Sequence, residues 1–177
     1  MKLIILDRDG VINQDSDDFI KSPDEFIPLP GSLNAIAQLN KAGYTVAVAT
    51  NQSGIARGYY SIDTLKKMHG KLANLLAKQG GHIDYITYCP HGPDENCTCR
   101  KPKPGMYLTI AQHFNTELTN VPVVGDSLRD LQAALAVDAT PYLVKTGKGQ
   151  KTLKKIQNLN NISIYDNLAT FVSDFLK

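Results

Sequence analysis

The stretch KLIILDRDG, residues 2–10, decides the fold of this chain. Four consecutive apolar residues run directly into Asp7-Arg8-Asp9-Gly10, a pattern typical of a buried strand that stops at a polar turn. The stretches YTVAVATNQSG (44–54) and VPVVGDS (121–127) repeat this pattern. Because the carboxyl ends of parallel strands meet at one edge of a sheet, where such folds bind ligands, the three polar clusters are expected to converge.

Strand-like and helix-like segments alternate outward from this stretch. We predict strands at 2–7, 44–50, 83–89, 121–126 and 140–146, with a short one at 162–165, and helices at 31–43, 61–81, 104–114, 128–137, 149–158 and 167–176. Such alternation predicts an α/β fold, a Rossmann-like three-layer sandwich around a central, mainly parallel sheet. No repeat or linker interrupts the pattern, so residues 1–177 are expected to form a single domain.

Composition limits the possible partners. The chain has 177 residues, 42% of them hydrophobic and 20% charged, with a net charge of +2, which is typical of one globular domain and favours neither nucleic acid nor membrane binding. The apolar run before Asp7 is too short for a signal peptide or a membrane span. We therefore expect a cytoplasmic protein, a monomer that acts on a small molecule.

The converging residue types favour phosphoryl transfer. Asp7, Asp9 and Asp126 offer the hard oxygen ligands that Mg²⁺ prefers. A carboxylate beside such an ion can attack phosphorus, and a second one can exchange protons with the leaving group and with water. Thr50 and the amides after it can bind phosphate oxygens. A single Asp after a strand is more often a turn residue, so the prediction depends on the convergence.

All three cysteines lie in CPHGPDENCTCRKPKPG, residues 89–105. Cys89, His91, Cys97 and Cys99 form the ligand set of a closed, tetrahedral Zn²⁺ site, and four protein ligands leave no position for catalysis. We therefore predict a structural zinc loop at 89–99 that braces the adjacent Arg100 and Lys101. Redox-active thiols are the alternative, and a nucleic-acid-binding finger is disfavoured because the loop is acidic and has no basic helix.

Four motifs in order carry a family resemblance. ILDRDGVIN, VATNQSG, CRKPKPGM and VVGDSLRDLQAA resemble the motifs of the haloacid dehalogenase (HAD) superfamily of phosphohydrolases. More narrowly, DRDGVIN, TNQSGIARG and the cysteine loop resemble the D-glycero-D-manno-heptose-1,7-bisphosphate 7-phosphatases. The resemblance covers residues 3 to about 147, and the segment 148–177 carries no motif.

The resemblance implies a role for each matching residue. Asp7 would be the nucleophile, Asp9 the general acid and base, and Lys101 the group that stabilises the transferring phosphoryl. Mg²⁺ would be held by the side chains of Asp7 and Asp126 and by the main-chain carbonyl of Asp9. The implied substrate contacts are Thr50 and Asn51 to the phosphate, and Gln52, Ser53, Arg57 and Arg100 to the sugar and its second phosphate.

The implied activity is a Mg²⁺-dependent hydrolysis of the 7-phosphate of heptose 1,7-bisphosphate through an aspartyl-phosphate, within heptose biosynthesis for lipopolysaccharide. The intervals between motifs leave no room for a cap domain, so we expect an open site. Histidinol-phosphate phosphatase, a sister family, is the enzymatic alternative. A zinc-stabilised binding module without activity is the alternative from another class, and a nucleic-acid 3′-phosphatase would need a more basic groove.

Four other positions have a plainer interpretation. Arg57 could be a solvated loop arginine, and Asp130 could either orient Arg100 or Lys101 or simply favour the start of a helix. His69 is expected to lie at the surface or half-buried without a partner. Lys148 is expected to belong to a solvated helix face.

Overall fold

A single parallel sheet organises the computed structural model, which describes residues 1–156 and 161–177. Its six strands lie in the order β3-β2-β1-β4-β5-β6, and every adjacent pair is parallel. The strands are β1 Lys2–Leu6, β2 Tyr44–Asn51, β3 Tyr85–Cys89, β4 Pro122–Gly125, β5 Thr140–Val144 and β6 Ser163–Tyr165.

Helices cover both faces of this sheet. They are α1 Ser32–Lys41, α2 Ile62–Lys78, α3 Gly105–Phe114, α4 Leu128–Leu135, α5 Gly149–Lys155 and α6 Leu168–Phe175. Within β1, Ile4 and Leu6 pack with α1, α2 and α6, whereas Leu3 and Ile5 pack with α3 and α4. This alternation buries both faces of the strand, which explains why its sequence is continuously apolar. The predicted three-layer α/β sandwich is confirmed.

The element boundaries differ little from those predicted. The hydroxyl of Ser61 accepts a 3.1 Å hydrogen bond from the backbone N–H of Thr64, so Ser61 is the predicted N-cap of α2. Pro104 precedes α3 as its N-cap residue instead of opening the helix. The helix predicted at 149–158 is observed as Gly149–Lys155, and residues 157–158 lie outside the described part of the chain.

The order of the strands places a crevice at the carboxyl end of β1. From β1 the chain builds the sheet first towards β2 and β3, and then returns to the other side of β1 with β4. Asp7 leaves β1 there, and its backbone N–H donates to the Val124 carbonyl at 2.9 Å. Such a switch point is where open α/β sheets bind their ligands.

Loops and the first turn of α4 border this crevice in the described residues. Between β1 and β2 the structure contains α1, and between β2 and β3 it contains α2, with no inserted cap domain. None of the described helices is long and apolar enough to cross a membrane.

Candidate active site

A cleft of about 310 Å³ opens at the carboxyl edge of the sheet. The residues after β1, β2 and β4 meet there, as the motif positions predicted. Among its lining residues are Asp7, Asp9, Asp15, Asn51, Gln52, Ser53, Arg57, Arg100, Lys101, Asp126, Arg129, Asp130 and Lys148. The cleft thus combines carboxylates at its base with four cationic side chains besides Lys101.

Lys101 links two carboxylates at the base of the cleft. Its Nζ lies 2.9 Å from Oδ1 of Asp7 and 2.6 Å from Oδ1 of Asp130, and it donates to the Ala49 carbonyl at 2.7 Å. The other oxygen of Asp130 accepts from the backbone N–H and hydroxyl of Ser127. Asp130 therefore has both oxygens engaged by the protein, whereas none of the described residues donates to Oδ2 of Asp7.

Asp126 is held by backbone packed closely around it. Oδ2 of Asp126 accepts the backbone N–H of Lys148 at 2.6 Å. A Cβ on Gly10 or on Gly147 would collide with this same oxygen, and both glycines have positive φ, at 85° and 55°. Only glycine fits both the conformation and the space, so the turns after β1 and β5 together fix where this carboxylate points.

Asp9 is bound through both of its oxygens. Oδ1 accepts from Nη2 of Arg8 at 2.7 Å and from Nδ2 of Asn13 at 2.8 Å, and Oδ2 accepts from Nε2 of Gln52 at 2.8 Å. Burial alone would raise the pKa of Asp9, but the Arg8 charge and the hydrogen bonds from Asn13, Arg8 and Gln52 outweigh it and lower the pKa. Its carboxylate is therefore ionised and tightly oriented.

Asp7 is the carboxylate with the opposite electrostatic environment. Burial and the nearby charge of Asp130 raise the pKa of Asp7 to about 7, although Lys101 acts to lower it. Burial and the charges of Asp7 and Asp130 likewise raise the pKa of Asp126. For Lys101 the charges of Asp130 and Asp7 outweigh the opposing effect of burial and raise the pKa. Asp7 and Asp130 thus share one ammonium, and Asp126 lies close to both carboxylates without an ammonium of its own, an arrangement that favours binding of a second cation.

The four predicted zinc ligands form a separate cluster. The Sγ of Cys89 lies 3.7 Å from that of Cys97 and 2.9 Å from that of Cys99, and Nδ1 of His91 lies 3.3 Å from the Sγ of Cys99. Their ligand atoms all lie within 4.8 Å of one another. A tetrahedral site with metal–sulfur bonds of about 2.3 Å separates its sulfurs by about 3.8 Å. The Cys89–Cys97 distance matches this value and the Cys89–Cys99 distance is shorter, and the cluster as a whole is compact enough to surround one metal ion.

The sequence of this chain is similar to those of heptose-bisphosphate phosphatases. A D-glycero-β-D-manno-heptose-1,7-bisphosphate 7-phosphatase from Pseudomonas putida is 60% identical over 99% of this chain and 100% of its own length. Its counterpart from Bordetella bronchiseptica is 55% identical over 100% of this chain and 99% of its own length. The chain belongs to the family of these 7-phosphatases. The sequence profile of HAD-hydrolase-like proteins matches residues 98–171.

Two solved structures of the family share the architecture. The D,D-heptose 1,7-bisphosphate phosphatase from B. bronchiseptica, complexed with magnesium and phosphate, superposes with a TM-score of 0.97 at 55% identity, covering 99% of this chain and 98% of its own. The enzyme from Burkholderia thailandensis has a TM-score of 0.79 at 47% identity, covering 100% and 99%. The predicted membership of the HAD phosphohydrolases is confirmed.

The structure separates the expected substrate contacts of this 7-phosphatase family member into two groups. Ser53, Arg57 and Arg100 line the cleft. Thr50 is buried away from it, with its hydroxyl accepting from Gln52 at 2.9 Å. The Asn51 side chain also lines the cleft, but its Oδ1 accepts from the backbone N–H of Lys101 and its Nδ2 donates to the carbonyl of the same residue, at 3.0 and 3.1 Å. Asn51 therefore holds the lysine loop in place.

Two residues that border the cleft, Lys148 and Arg129, had no predicted role in the site. Lys148 was expected on a solvated face, but its Nζ pairs with Oδ2 of Asp15 at 2.9 Å and its N–H binds Asp126. Its position soon after β5 could have indicated this, because the carboxyl end of β5 lies at the same edge of the sheet as the carboxyl ends of β1, β2 and β4. Arg129, in the first turn of α4, also lines the cleft. The expectation for Lys148 is wrong because a buried carboxylate draws its backbone inward.

His69 also has a partner that its sequence context did not predict. Its Nε2 lies 3.3 Å from Nη1 of Arg8, whose side chain is completely buried. Burial and the Arg8 charge lower the pKa of His69 to about 4, so the neutral ring can accept the arginine N–H. His69 therefore provides a hydrogen-bond acceptor for Nη1 of Arg8, whereas Nη2 of the same guanidinium donates to Asp9.

The crowded carboxylates predict an unusual pH dependence of stability in magnesium-free protein. The folded-state pKa of Asp7, about 7, lies well above the ordinary aspartate value of 3.8. Between pH 4 and pH 7 the folded state consequently binds more protons than the unfolded state, and stability falls as pH rises, on the order of 2–4 kcal/mol for this group. Urea unfolding in magnesium-free buffer at pH 5 and pH 8 measures it.

Two controls define this pH prediction. Adding Mg²⁺ at pH 8 should recover most of the lost stability, and Asp7→Asn should flatten the profile. A metal-free protein that is as stable at pH 8 as at pH 5 would contradict the proposed crowding.

Proposed function

We propose that this protein hydrolyses the 7-phosphate of D-glycero-β-D-manno-heptose 1,7-bisphosphate to give heptose 1-phosphate and inorganic phosphate. The observation that carries the proposal is identity of 55–60% to 7-phosphatases along the whole chain. The arrangement of Asp7, Asp9, Lys101 and Asp126 around one cleft supports it, because these are the groups that phosphoryl transfer requires. The β-anomer follows the names of the relatives.

Asp7 is the proposed nucleophile. Its Oδ1 is held by Lys101 at 2.9 Å, which leaves Oδ2 to attack the 7-phosphorus. A bond forms between Oδ2 and phosphorus while the ester bond from phosphorus to the sugar oxygen breaks. The Lys101 ammonium lies beside this reaction centre and stabilises the negative charge on the transferring phosphoryl group.

Asp9 is the proposed general acid and base. It lines the cleft beside Asp7. It takes up a proton as the anionic phosphate ester binds, and in the first step it donates this proton to the departing sugar alkoxide. In the second step it takes a proton from the water that attacks the aspartyl-phosphate, which restores Asp7 and releases phosphate. The same proton is thereby returned, and the two steps balance as the hydrolysis of one ester.

Mg²⁺ is the proposed catalytic cofactor. Asp126 has one carboxylate oxygen to which none of the described residues donates. Oδ1 of Asp7 accepts one hydrogen bond from Lys101 and keeps a lone pair for the ion, while Oδ2 stays free to attack. Both side chains therefore fit such an ion, with the carbonyl of Asp9 as the expected third ligand. Asp130 is also near, but Lys101 and Ser127 engage both of its oxygens. When bound, the ion neutralises phosphate charge and orients the phosphate for attack.

The sugar and its second phosphate would face the mouth of the cleft. Arg57, Arg100 and Arg129 line it. Burial is the largest cause that lowers the pKa of Arg100, and the nearby charges of Arg129 and Arg57 lower it further. None of the three forms an ion pair with a described carboxylate. Such a group of guanidinium ions favours a second phosphate dianion at the far end of the substrate.

A panel of phosphate esters tests the proposed reaction. With Mg²⁺ we expect kcat/KM for heptose 1,7-bisphosphate to exceed that for heptose 7-phosphate by at least about 100-fold. Heptose 7-phosphate lacks the second phosphate, so the guanidinium ions have no partner on it. Phosphate release from histidinol phosphate and from a 3′-phosphorylated oligonucleotide completes the panel. A preference for histidinol phosphate would contradict the substrate assignment, and no turnover of any ester would contradict the enzyme assignment.

We infer a structural Zn²⁺ at Cys89, His91, Cys97 and Cys99. The ion would fix the loop that ends at Arg100 and Lys101, and no step of the reaction passes through it. We expect about one zinc per chain by elemental analysis. Removing it should lower kcat/KM at least about 10-fold while heat-induced unfolding stays cooperative, because displacing the two cations by about 1 Å costs that much or more. Purified, reduced protein without zinc would contradict this site.

Four further assignments are proposals. The chain is proposed to be one domain, since every described strand belongs to one sheet and helices pack on both of its faces. A monomer is proposed because all residues around the cleft belong to one chain. A cytoplasmic location and a role in heptose biosynthesis for lipopolysaccharide are proposed from the unpaired cysteines and from the relatives' substrate.

A further inference from the structure

Gln52 was expected to contact the sugar, but the structure engages its side chain within the protein. Gln52 is 3% exposed. One proton of its amide nitrogen is donated to Oδ2 of Asp9 at 2.8 Å and the other to the hydroxyl of Thr50 at 2.9 Å. A side-chain amide has two donor hydrogens, so no donor is left for a substrate hydroxyl or phosphate.

Tyr60 determines which way this amide faces. Its phenol donates to Oε1 of Gln52 at 2.5 Å, and the residue is 8% exposed. If the amide rotated by half a turn, Oε1 would face Oδ2 of Asp9 and two acceptors would oppose each other. The Tyr60 hydroxyl therefore favours the one orientation in which Gln52 donates to Asp9.

Gly54 allows Tyr60 to reach this position. A Cβ on Gly54 would collide with the Tyr60 ring. The absence of a side chain at Gly54 thus lets the aromatic ring pack directly against the loop backbone, which places the Tyr60 hydroxyl within hydrogen-bonding distance of Gln52.

We propose that Tyr60 and Gln52 form a buried relay that holds the carboxylate of Asp9 in position for proton transfer. In this relay both are positioning residues and neither is a ligand of the sugar. The inference rests on the proposed role of Asp9 as general acid. Without the relay, Oδ2 of Asp9 loses its donor while Arg8 and Asn13 still hold Oδ1, and the carboxylate can rotate away from the leaving group.

The leaving group of the substrate distinguishes this role from a structural one. p-Nitrophenolate departs readily without a proton, whereas phenolate departs much more easily when it receives one. A poorly placed Asp9 should therefore slow phenyl phosphate more than p-nitrophenyl phosphate. We expect Tyr60→Phe, Gln52→Ala and Gly54→Ala each to lower kcat/KM for phenyl phosphate about 10-fold, and that for p-nitrophenyl phosphate less than about twofold.

Matched variants complete the experiment. Tyr59→Phe removes the neighbouring, exposed phenol and should leave both values unchanged. Combining Tyr60→Phe with Gln52→Ala should cost no more than Gln52→Ala alone, because Tyr60 acts through Gln52. Equal losses on the two aryl phosphates, additive losses in the double variant, or a loss confined to KM for heptose bisphosphate would each overturn the relay.

Asp9→Asn separates the inference from the proposed function. If this variant does not discriminate between the two aryl phosphates, the role of Asp9 as general acid is wrong. If it discriminates and Tyr60→Phe does not, Asp9 keeps its role and the relay is wrong. Tyr60→Phe retains the buried ring, and an unchanged melting temperature within a few degrees shows that it is folded.

Discussion

Replacing Asp7 by Asn is expected to abolish phosphate release, with kcat lowered by at least about 10⁴-fold, because an amide cannot attack phosphorus. The variant should nevertheless fold. Lys101 keeps its bonds to Asp130 and to the Ala49 carbonyl, and the crowding of negative charge at the base of the cleft is relieved. We expect its melting temperature in magnesium-free buffer at pH 8 to be equal to or above that of the wild type. Phosphate release and thermal unfolding measure the two effects.

A chemical trap makes this prediction specific to the nucleophile. Acid quenching during turnover should leave a phosphorylated Asp7 in the wild type, detectable by mass spectrometry, and none in Asp7→Asn. The exposed Asp63 on α2 serves as the control, since Asp63→Asn makes the same chemical change away from the cleft and should retain full turnover. Wild-type turnover by Asp7→Asn would exclude the aspartyl-phosphate mechanism.

Replacing Lys101 by Met is expected to damage both catalysis and stability. The side chain of Lys101 is 3% exposed and pairs with Asp7 and Asp130 at 2.9 and 2.6 Å. Its removal leaves two buried carboxylates without their cation, which should cost about 3 kcal/mol or more of the free energy of unfolding at pH 8. Loss of the charge beside the transferring phosphoryl group should lower kcat at least about 10³-fold.

The pH dependence separates the two losses. At pH 5 the carboxylates can take up protons in place of the ammonium, so much of the stability of Lys101→Met should return, whereas the lost activity should not. Urea unfolding at both pH values and phosphate release measure this. Lys67→Met, on the exposed face of α2, is the control and should change neither quantity. An unchanged kcat in Lys101→Met would mean that the lysine only holds the loop.

The carboxylates could be predicted because local sequence determines where they lie. Asp7 and Asp126 directly follow buried strands, and the parallel arrangement of those strands brings their ends together without any information about side-chain packing. The clustering of Cys89, His91, Cys97 and Cys99 was predictable for a related reason, since they lie within one short loop. Their spacing alone brings them within reach of one proposed metal ion.

The amide residues of the second strand end were harder to assign. Asn51 and Gln52 stand where substrate ligands are expected, but the first bonds the backbone of Lys101 and the second bonds Asp9. A side-chain amide can serve the substrate or the protein equally well, and its neighbours in sequence do not distinguish the two. The choice depends on which donors and acceptors approach from other loops.

The sequence by itself determined the parallel α/β sheet, the edge at which the carboxylates meet, and the two groups of side chains that could hold a metal ion. These follow from hydrophobic runs, strand ends and short spacings, all of which are local properties of the chain. Only the tertiary structure decided that Lys148 binds Asp126 and that Gln52 binds Asp9. Those contacts join residues from separate loops, and a polar side chain takes its partner from whatever the completed fold places within hydrogen-bonding distance.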